Sequence, residues 1–387
     1  MSRQTLLSLY FFGIFLQAGA YGLTFLLPAL FAGFGGNEAD VGFVLALTAI
    51  ATLAVVIYSG HITSLLGLMP TIALSGGLIT LAALLFGLAS ATGLIMQAAG
   101  LLLGAGWGLF YTLTPVALNR VIHPHERIQY FTLLSVFIMA GFGLSPVFGA
   151  ALTRLGFGIG LTFLLTAGLC GISALLFFWL TRPMRALTLE KQIIDKSRLS
   201  IAIIKRVMIS RAAIPIIMVG IGASVFAGVT NFQIVYADAQ NLAYADYFLA
   251  YTVTVIVCRV IFAQFMGGQS PYGVIALLLG VMGLSVMLFI QQDSNTFLYV
   301  LGAILFGIGY GVSYPIIKAM AANEAQPDII PQTLQLFGLS YFLGVFGFPF
   351  LAGHMIVEGG MMLLLWTVFG LAVLECALAT GRFFKRI

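Results

Sequence analysis

Three ionisable side chains stand inside stretches that are otherwise apolar: Arg259 in "TVIVCRVIFA", Lys318 in "YPIIKAMAA" and Glu375 in "AVLECALA". A guanidinium cannot shed its proton, and at membrane depth its charge costs about 2.5 kcal/mol or more. Arg259 therefore needs Glu375 or backbone carbonyls as structural partners, an anion to bind, or a place in a gate. Lys318 is expected to snorkel toward the membrane surface. Glu375, Asp238, His61 or His354 could exchange a proton. The four histidines are scattered: His61 and His354 stand near span ends, and His123 and His125 in a loop. They suggest neither a nucleophile–base set nor metal ligation, so an enzyme is not expected.

Uncharged polar residues fall in stripes. At ~100° per residue, Tyr10, Gly13, Gln17, Tyr21 and Thr24 share an arc of about 80°. Gly220, Ser224, Gly228, Asn231 and Asp238 lie on a similar arc. Tyr111, Pro115 and Asn119 follow one another at steps of four, as do Tyr314 and Lys318. A polar face on a membrane helix must look at protein or water. Gln17, Tyr21, Trp107, Tyr111, Asn231, Arg259, Tyr310, Tyr314 and Gln335 form the candidate set for binding a small polar molecule. Arg259, Lys318, Glu375 and Asp238 form the candidate set for coupling or gating. For the Trp107/Tyr111 and Tyr310/Tyr314 pairs, packing against a neighbouring helix competes equally with lining a cavity.

The elements that must position these residues follow from composition. Of the 387 residues, 61% are apolar and 7% charged, against about 25% charged in a soluble domain. Apolar runs long enough to cross a ~30 Å hydrocarbon layer as helices recur along the chain. They define twelve spans, near 5–32, 41–62, 70–91, 95–118, 129–154, 158–181, 212–237, 246–267, 273–291, 296–318, 329–355 and 360–381. Arg3 and "AGA" at 18–20 mimic a signal peptide, but the apolar run continues to Leu30 and reads as the first span. With the N-terminus in the cytoplasm, every Lys and Arg of the seventeen falls on cytoplasmic segments except Arg154 and Arg259. Both termini are then cytoplasmic. The net charge of +5 reflects topology rather than a nucleic-acid partner. Cys170, Cys258 and Cys376 fall within spans and suggest neither disulfides nor a zinc site.

Residues 182–211 form the one long polar segment, a basic linker with an interfacial helix expected around 188–207. It separates 1–181 from 212–387, six spans each. Sliding the second half onto the first by 203 residues (307 − 104) superposes Gly104, Gly106, Gly108 and Tyr111 on Gly307, Gly309, Gly311 and Tyr314. Trp107 meets Tyr310, Gly141 meets Gly344 and Pro146 meets Pro349. The matching residues set backbone geometry, so the two halves read as a parallel repeat. Gly104 with Gly108, and Gly307 with Gly311, stand one turn apart and predict close helix packing rather than a nucleotide loop.

Twelve spans as six plus six, cytoplasmic termini and a basic central linker resemble the major facilitator superfamily over essentially the whole chain. "GFGLSPVFGA" (Gly141, Ser145, Pro146, Gly149) is similar to the G-x-x-x-G-P-x-x-G element of its exporters, with Ser145 in place of the second glycine. The loop "GHITSLLGLM" keeps Gly60 and Gly67 of the superfamily's second-loop motif, but Ser64, Leu65 and Leu68 replace its charges. "CRVIFAQFMGGQSPYG" (258–273) is the weakened counterpart in the second half. The resemblance implies an all-α fold of two six-helix bundles working by alternating access in a bacterial-type inner membrane, as a monomer without cofactor or metal. Its solute would be small, polar or amphiphilic, neutral or anionic: sugar-like, a carboxylate or siderophore-type. Efflux is the expected direction and uptake the alternative; a sensor that moves nothing is a further one. Protons are the candidate coupling ion. Exporters of organic cations in the superfamily typically use an embedded acid, which spans one, two, four, five, ten and eleven lack here and span eight carries only as its first residue, Asp246.

Overall fold

The computed structural model describes residues 2–187, 199–262 and 271–384, and every regular element among them is helical. α1 (Arg3–Gly22) passes through a 3-10 turn at Leu23–Leu26 into α2 (Leu27–Ala32). Next come α3 (Glu38–Leu66), α4 (Leu68–Leu88), α5 (Leu94–Asn119), α6 (Arg127–Arg154) and α7 (Ile159–Ala186). Then follow α8 (Ile201–Ile209), α9 (Ala213–Asn231), α10 (Gln233–Ala239), α11 (Tyr244–Phe262), α12 (Pro271–Gln291) and α13 (Thr296–Asn323). α14 (Ile330–Phe342) continues through a π turn at Leu343–Gly347 into α15 (Phe348–Phe384).

Eleven described stretches are long and apolar enough to cross a membrane. The last, Pro327–Phe384, runs 58 residues; a straight helix of that length would reach about 87 Å, nearly three times the hydrocarbon layer. Gly360 interrupts it with φ 78°, a conformation natural to glycine. Two helices therefore meet there and make two crossings, which gives twelve among the described residues.

Two spans expected to be continuous are broken. Pro28 has no N–H for the Thr24 carbonyl, and the first span tightens into its 3-10 turn just before it. The seventh span stops at Asn231, whose amide bonds back to Ala227, and resumes as α10 after Phe232. The described part of the linker holds α8, shorter than the helix expected around 188–207, with the Ser200 hydroxyl accepting from the Ile203 N–H. Lys191, Lys196, Arg198, Lys385, Arg386 and residues 263–270 lie outside the described residues.

The chain forms two compact units: Met1–Gly36 with Leu47–Lys196, and Asn37–Ala46 with Ser197–Ile387. The start of α3 therefore clusters with the second unit, which the division at 182–211 did not anticipate. There Gly42 faces the Pro349 carbonyl, 2.5 Å from where a Cβ would stand.

Glycine contacts hold each unit together, and they repeat. In the first, a Cβ on Gly104 would stand 2.2 Å from the Thr48 carbonyl oxygen and one on Gly108 2.7 Å from Val55, both on α3. Gly106, on another side of α5, meets Ile79 and the Ser75 carbonyl of α4. In the second unit, Gly307 and Gly311 meet Thr254 and Val255 of α11, while Gly309 meets Met282 and Leu278 of α12. Gly141 sits on the Phe15 carbonyl and Gly344 on that of Gly220, at 2.4 and 2.5 Å from the would-be Cβ. Small residues here let backbones approach directly.

The repeat breaks at one place. Pro146 lies inside α6 and leaves the Phe142 carbonyl without its helical N–H. Gly22 packs straight onto that oxygen, 2.1 Å from its would-be Cβ. Pro349 likewise removes the donor for Val345, but the counterpart of Gly22 by these contacts, 205 residues on (220 − 15), is Ala227 rather than Gly. The backbone at Leu343–Gly347 makes its π turn there instead.

Candidate functional site

The chemistry of the second unit gathers on α13. Pro315 lies inside this helix and has no N–H to give the Gly311 carbonyl, four residues earlier. Arg259 of α11 supplies the missing donor: its Nε–H reaches the Gly311 oxygen at 3.1 Å. Gly311 can be approached so closely because it carries no side chain. Of the partners open to Arg259, a backbone carbonyl is therefore in place. Glu375 is not: it makes no described ion pair.

Lys318 is seven residues, about 10 Å, further along α13 and on the same face as Gly311 by the helical period. It is exposed, and no hydrogen bond or ion pair involves it among the described residues. Tyr314, one turn back, is half-buried, with its ring 5.0 Å from Tyr341 and 5.8 Å from Phe337 of α14. Gln335 is half-buried on α14, one turn from Leu339. An aromatic platform and an exposed ammonium on α13, with a guanidinium docked on it from α11, suit a carboxylate with an apolar body.

Aromatic stacks repeat as the glycines do. Trp107 of α5 stacks on Tyr21 of α1, centroids 4.7 Å apart and planes within 19°. Tyr310 of α13 stacks on Phe226 of α9 at 4.8 Å and 11°. All four rings are buried, so Trp107, Tyr21 and Tyr310 pack helix on helix within their units. Tyr111 and Tyr314, one turn along, are only half-buried.

Two candidates turn the other way. Gln17 was expected on a stripe facing a cavity, yet it is fully buried inside its unit between α1, α4 and α7. Its Oε1 accepts from the Ser173 hydroxyl at 3.1 Å, and Gly76 makes room for it. Asn231, also buried, donates from Nδ2 to Ala227 of its own helix at 3.1 Å. Protein groups engage the Gln17 oxygen and the Asn231 nitrogen, while the Gln17 Nε2 has no hydrogen-bond partner among the described residues. Asp238 is exposed at the end of α10. Glu375 is buried against Gly222 of α9.

An electrostatic element absent from the candidate sets joins the start of each half to a distant turn. Arg3 grips Glu126 through a two-pronged contact, with Nη1 to Oε1 at 2.9 Å, and donates to the Val121 carbonyl as well. Arg206 grips Asp328 at 2.7 and 3.1 Å and also bonds Gln326. Arg206 lies 203 residues after Arg3 (206 − 3), and both acids belong to 3-10 turns after the fourth helix of their half. The Arg3 guanidinium and the His123 N–H bring the Glu126 carboxyl down to about 2. Arg206 lowers that of Asp328 in the same way. The 203-residue offset of the two arginines was the available signal. The acids stand one position out of register, which hides the pairing.

The chain matches the family model of the Major Facilitator Superfamily over residues 9–349. An uncharacterized MFS-type transporter of Methanocaldococcus jannaschii is 22% identical over 249 residues, covering 62% of this chain and 64% of that relative. The matched stretch is thus a little under two thirds of the relative's length. In fold, the chain resembles crystal structures of the nucleoside transporter NupG (TM-score 0.76, 16% identity, covering 98% of this chain and 100% of that one) and of the human organic anion transporter MFSD10 (TM-score 0.69, 14% identity, 98% and 100%). Twelve apolar crossings, a repeated set of glycine contacts and a family match over most of its length make this chain an integral membrane protein of the Major Facilitator Superfamily.

Proposed function

We propose that this protein is a secondary carrier of small organic anions, carboxylates with an apolar body, working by alternating access in a bacterial-type cytoplasmic membrane with both termini in the cytoplasm. The observation that carries the reading is Lys318, an exposed ammonium without a described partner on the α13 face where Arg259 docks at Gly311. Tyr314 supplies an apolar surface beside it, held by Tyr341 and Phe337. Two cations at one face of α13, Lys318 on the helix and Arg259 reaching it from α11 about 10 Å along the axis, raise the local concentration of an anion and repel a cation. Lys318 is the anion ligand, Tyr314 is the contact surface, and Arg259 sets the positive field.

The direction we propose is outward, supported by the exporter-like "GFGLSPVFGA" of α6 with Gly141 seated on α1. Uptake of the same anions is the second reading, favoured by Ser145 in place of the exporters' glycine.

A thermal-shift screen of purified protein tests the substrate class, because a ligand that binds the native state raises its melting temperature. Benzoate and other aromatic or aliphatic carboxylates are expected to stabilise, and quaternary ammonium ions are not. Stabilisation by cations, with none by carboxylates, would reject the assignment.

A further inference from the structure

Glu375 is an acid buried inside a membrane span, at 1% exposure, and its Oε2 has no hydrogen-bond partner. It faces the first helix of its own unit: a Cβ on Gly222 of α9 would stand 2.9 Å from both carboxyl oxygens. The other unit offers a comparison. Ser173 of α7 also faces the first helix of its unit and is satisfied by the Gly13 carbonyl and Gln17. The sixth helix of each half thus turns a buried polar group onto the first. In one half it is a bonded hydroxyl, in the other an unbonded carboxyl.

Among the described residues, no cation is in place to neutralise it. α9 carries no ionisable side chain, and neither does the π turn Leu343–Gly347. α12 offers only Tyr272, which donates to Glu324. On α15 itself, Arg382 pairs with Glu324, the Cys376 thiol donates to the Ala276 carbonyl, and His354 and Glu358 lie beyond the break at Gly360. An ionised carboxylate in such a place costs several kcal/mol more than the neutral acid.

We propose that Glu375 is a proton-binding site, and that its neutral form is what lets the twelfth span pack on Gly222 of the seventh. Losing the proton places an unpaired charge in that contact, so the two helices must part or admit water. The ligand is the proton itself, bound away from the α13 face assigned to the solute. The inference goes beyond the carrier reading and needs no solute for its test.

The experiment is infrared spectroscopy of the full-length protein in lipid vesicles through an alkaline titration, with thermal unfolding at the same pH values. Wild type is expected to show a buried carboxylic-acid carbonyl band that fades reversibly as pH rises, and Glu375→Gln is expected to lack it. Because the folded state holds the proton, melting temperature should fall as pH rises, and Glu375→Gln should remove most of that fall. Identical wild-type and Gln spectra across the titration would overturn the proposal, as would an unchanged dependence of melting on pH. Should the Gln variant fail to fold, Glu375→Asp keeps an acid at the position and must shift the band. An unshifted band would assign it elsewhere and overturn the proposal equally.

Discussion

Arg259 donates to the Gly311 carbonyl at 3.1 Å, and that carbonyl is the one Pro315 leaves without its helical partner. A proline inside a membrane helix is tolerable where a neighbour re-satisfies the freed backbone group. Here the neighbour is a charged side chain, so one contact settles a backbone vacancy and positions a guanidinium. Pro315→Ala supplies the N–H and should make Arg259 partly dispensable. A double-mutant cycle on thermal stability is expected to give a coupling of about 1 kcal/mol. Strict additivity of Arg259→Ala and Pro315→Ala would remove the link.

Close packing at the glycines makes a graded prediction. Gly104→Ala and Gly344→Ala put a methyl group into backbone atoms 2.2 and 2.5 Å away. They should destabilise by roughly 1–3 kcal/mol or more, since backbone yields less readily than side chains. Gly77 and Gly370 have nothing within 4 Å of a would-be Cβ, and their Ala variants should melt as wild type does. Equal melting of all four proteins in one detergent would contradict the packing account.

Gln17 sets stability apart from binding. Its amide is enclosed by Ser173 and Gly76, so Gln17→Ala should lower the melting temperature through the cavity it leaves, the Ser173 hydroxyl keeping the Gly13 carbonyl. The affinity for carboxylates should stay within about twofold, in keeping with the absence of a direct contact. A large affinity loss at unchanged melting temperature would return Gln17 to the binding face.

These contrasts show what a reader of the sequence can and cannot see. Composition dictates helices because hydrocarbon leaves backbone groups no other partner, and the 203-residue offset matches glycines that meet equivalent neighbours in each half. A helical wheel, however, gives a face and not what stands opposite it. Gln17 and Tyr21 share an arc, yet Gln17 meets α7 and Tyr21 meets Trp107 of α5. The partner of Arg259 was legible only as one of several, because the vacancy at Gly311 depends on Pro315 and on α11 lying alongside. The Arg3–Glu126 and Arg206–Asp328 pairs were hidden by a shift of one residue in the acids.

Those pairs predict a pH dependence. Arg3 holds the Glu126 carboxyl near 2, below its ordinary value of about 4.3. A lowered acid stabilises the fold fully above the ordinary value and loses that contribution as pH falls through the lowered one. Glu126→Gln should therefore melt slightly below wild type near neutrality, by about 2 °C or less for a half-buried surface pair. The gap should close as pH falls from about 4 toward 2. A gap that widens in acid would contradict the assignment.

Solute counterflow in proteoliposomes tests the central claim most directly. Vesicles preloaded with an unlabelled carboxylate should draw in the labelled one from a dilute bath, and Lys318→Gln should reduce this at least ~10-fold with melting temperature unchanged, the loss expected for one charge-assisted contact. Uptake driven by preloaded organic cations, or a Lys318→Gln protein that exchanges carboxylates like wild type, would contradict the account.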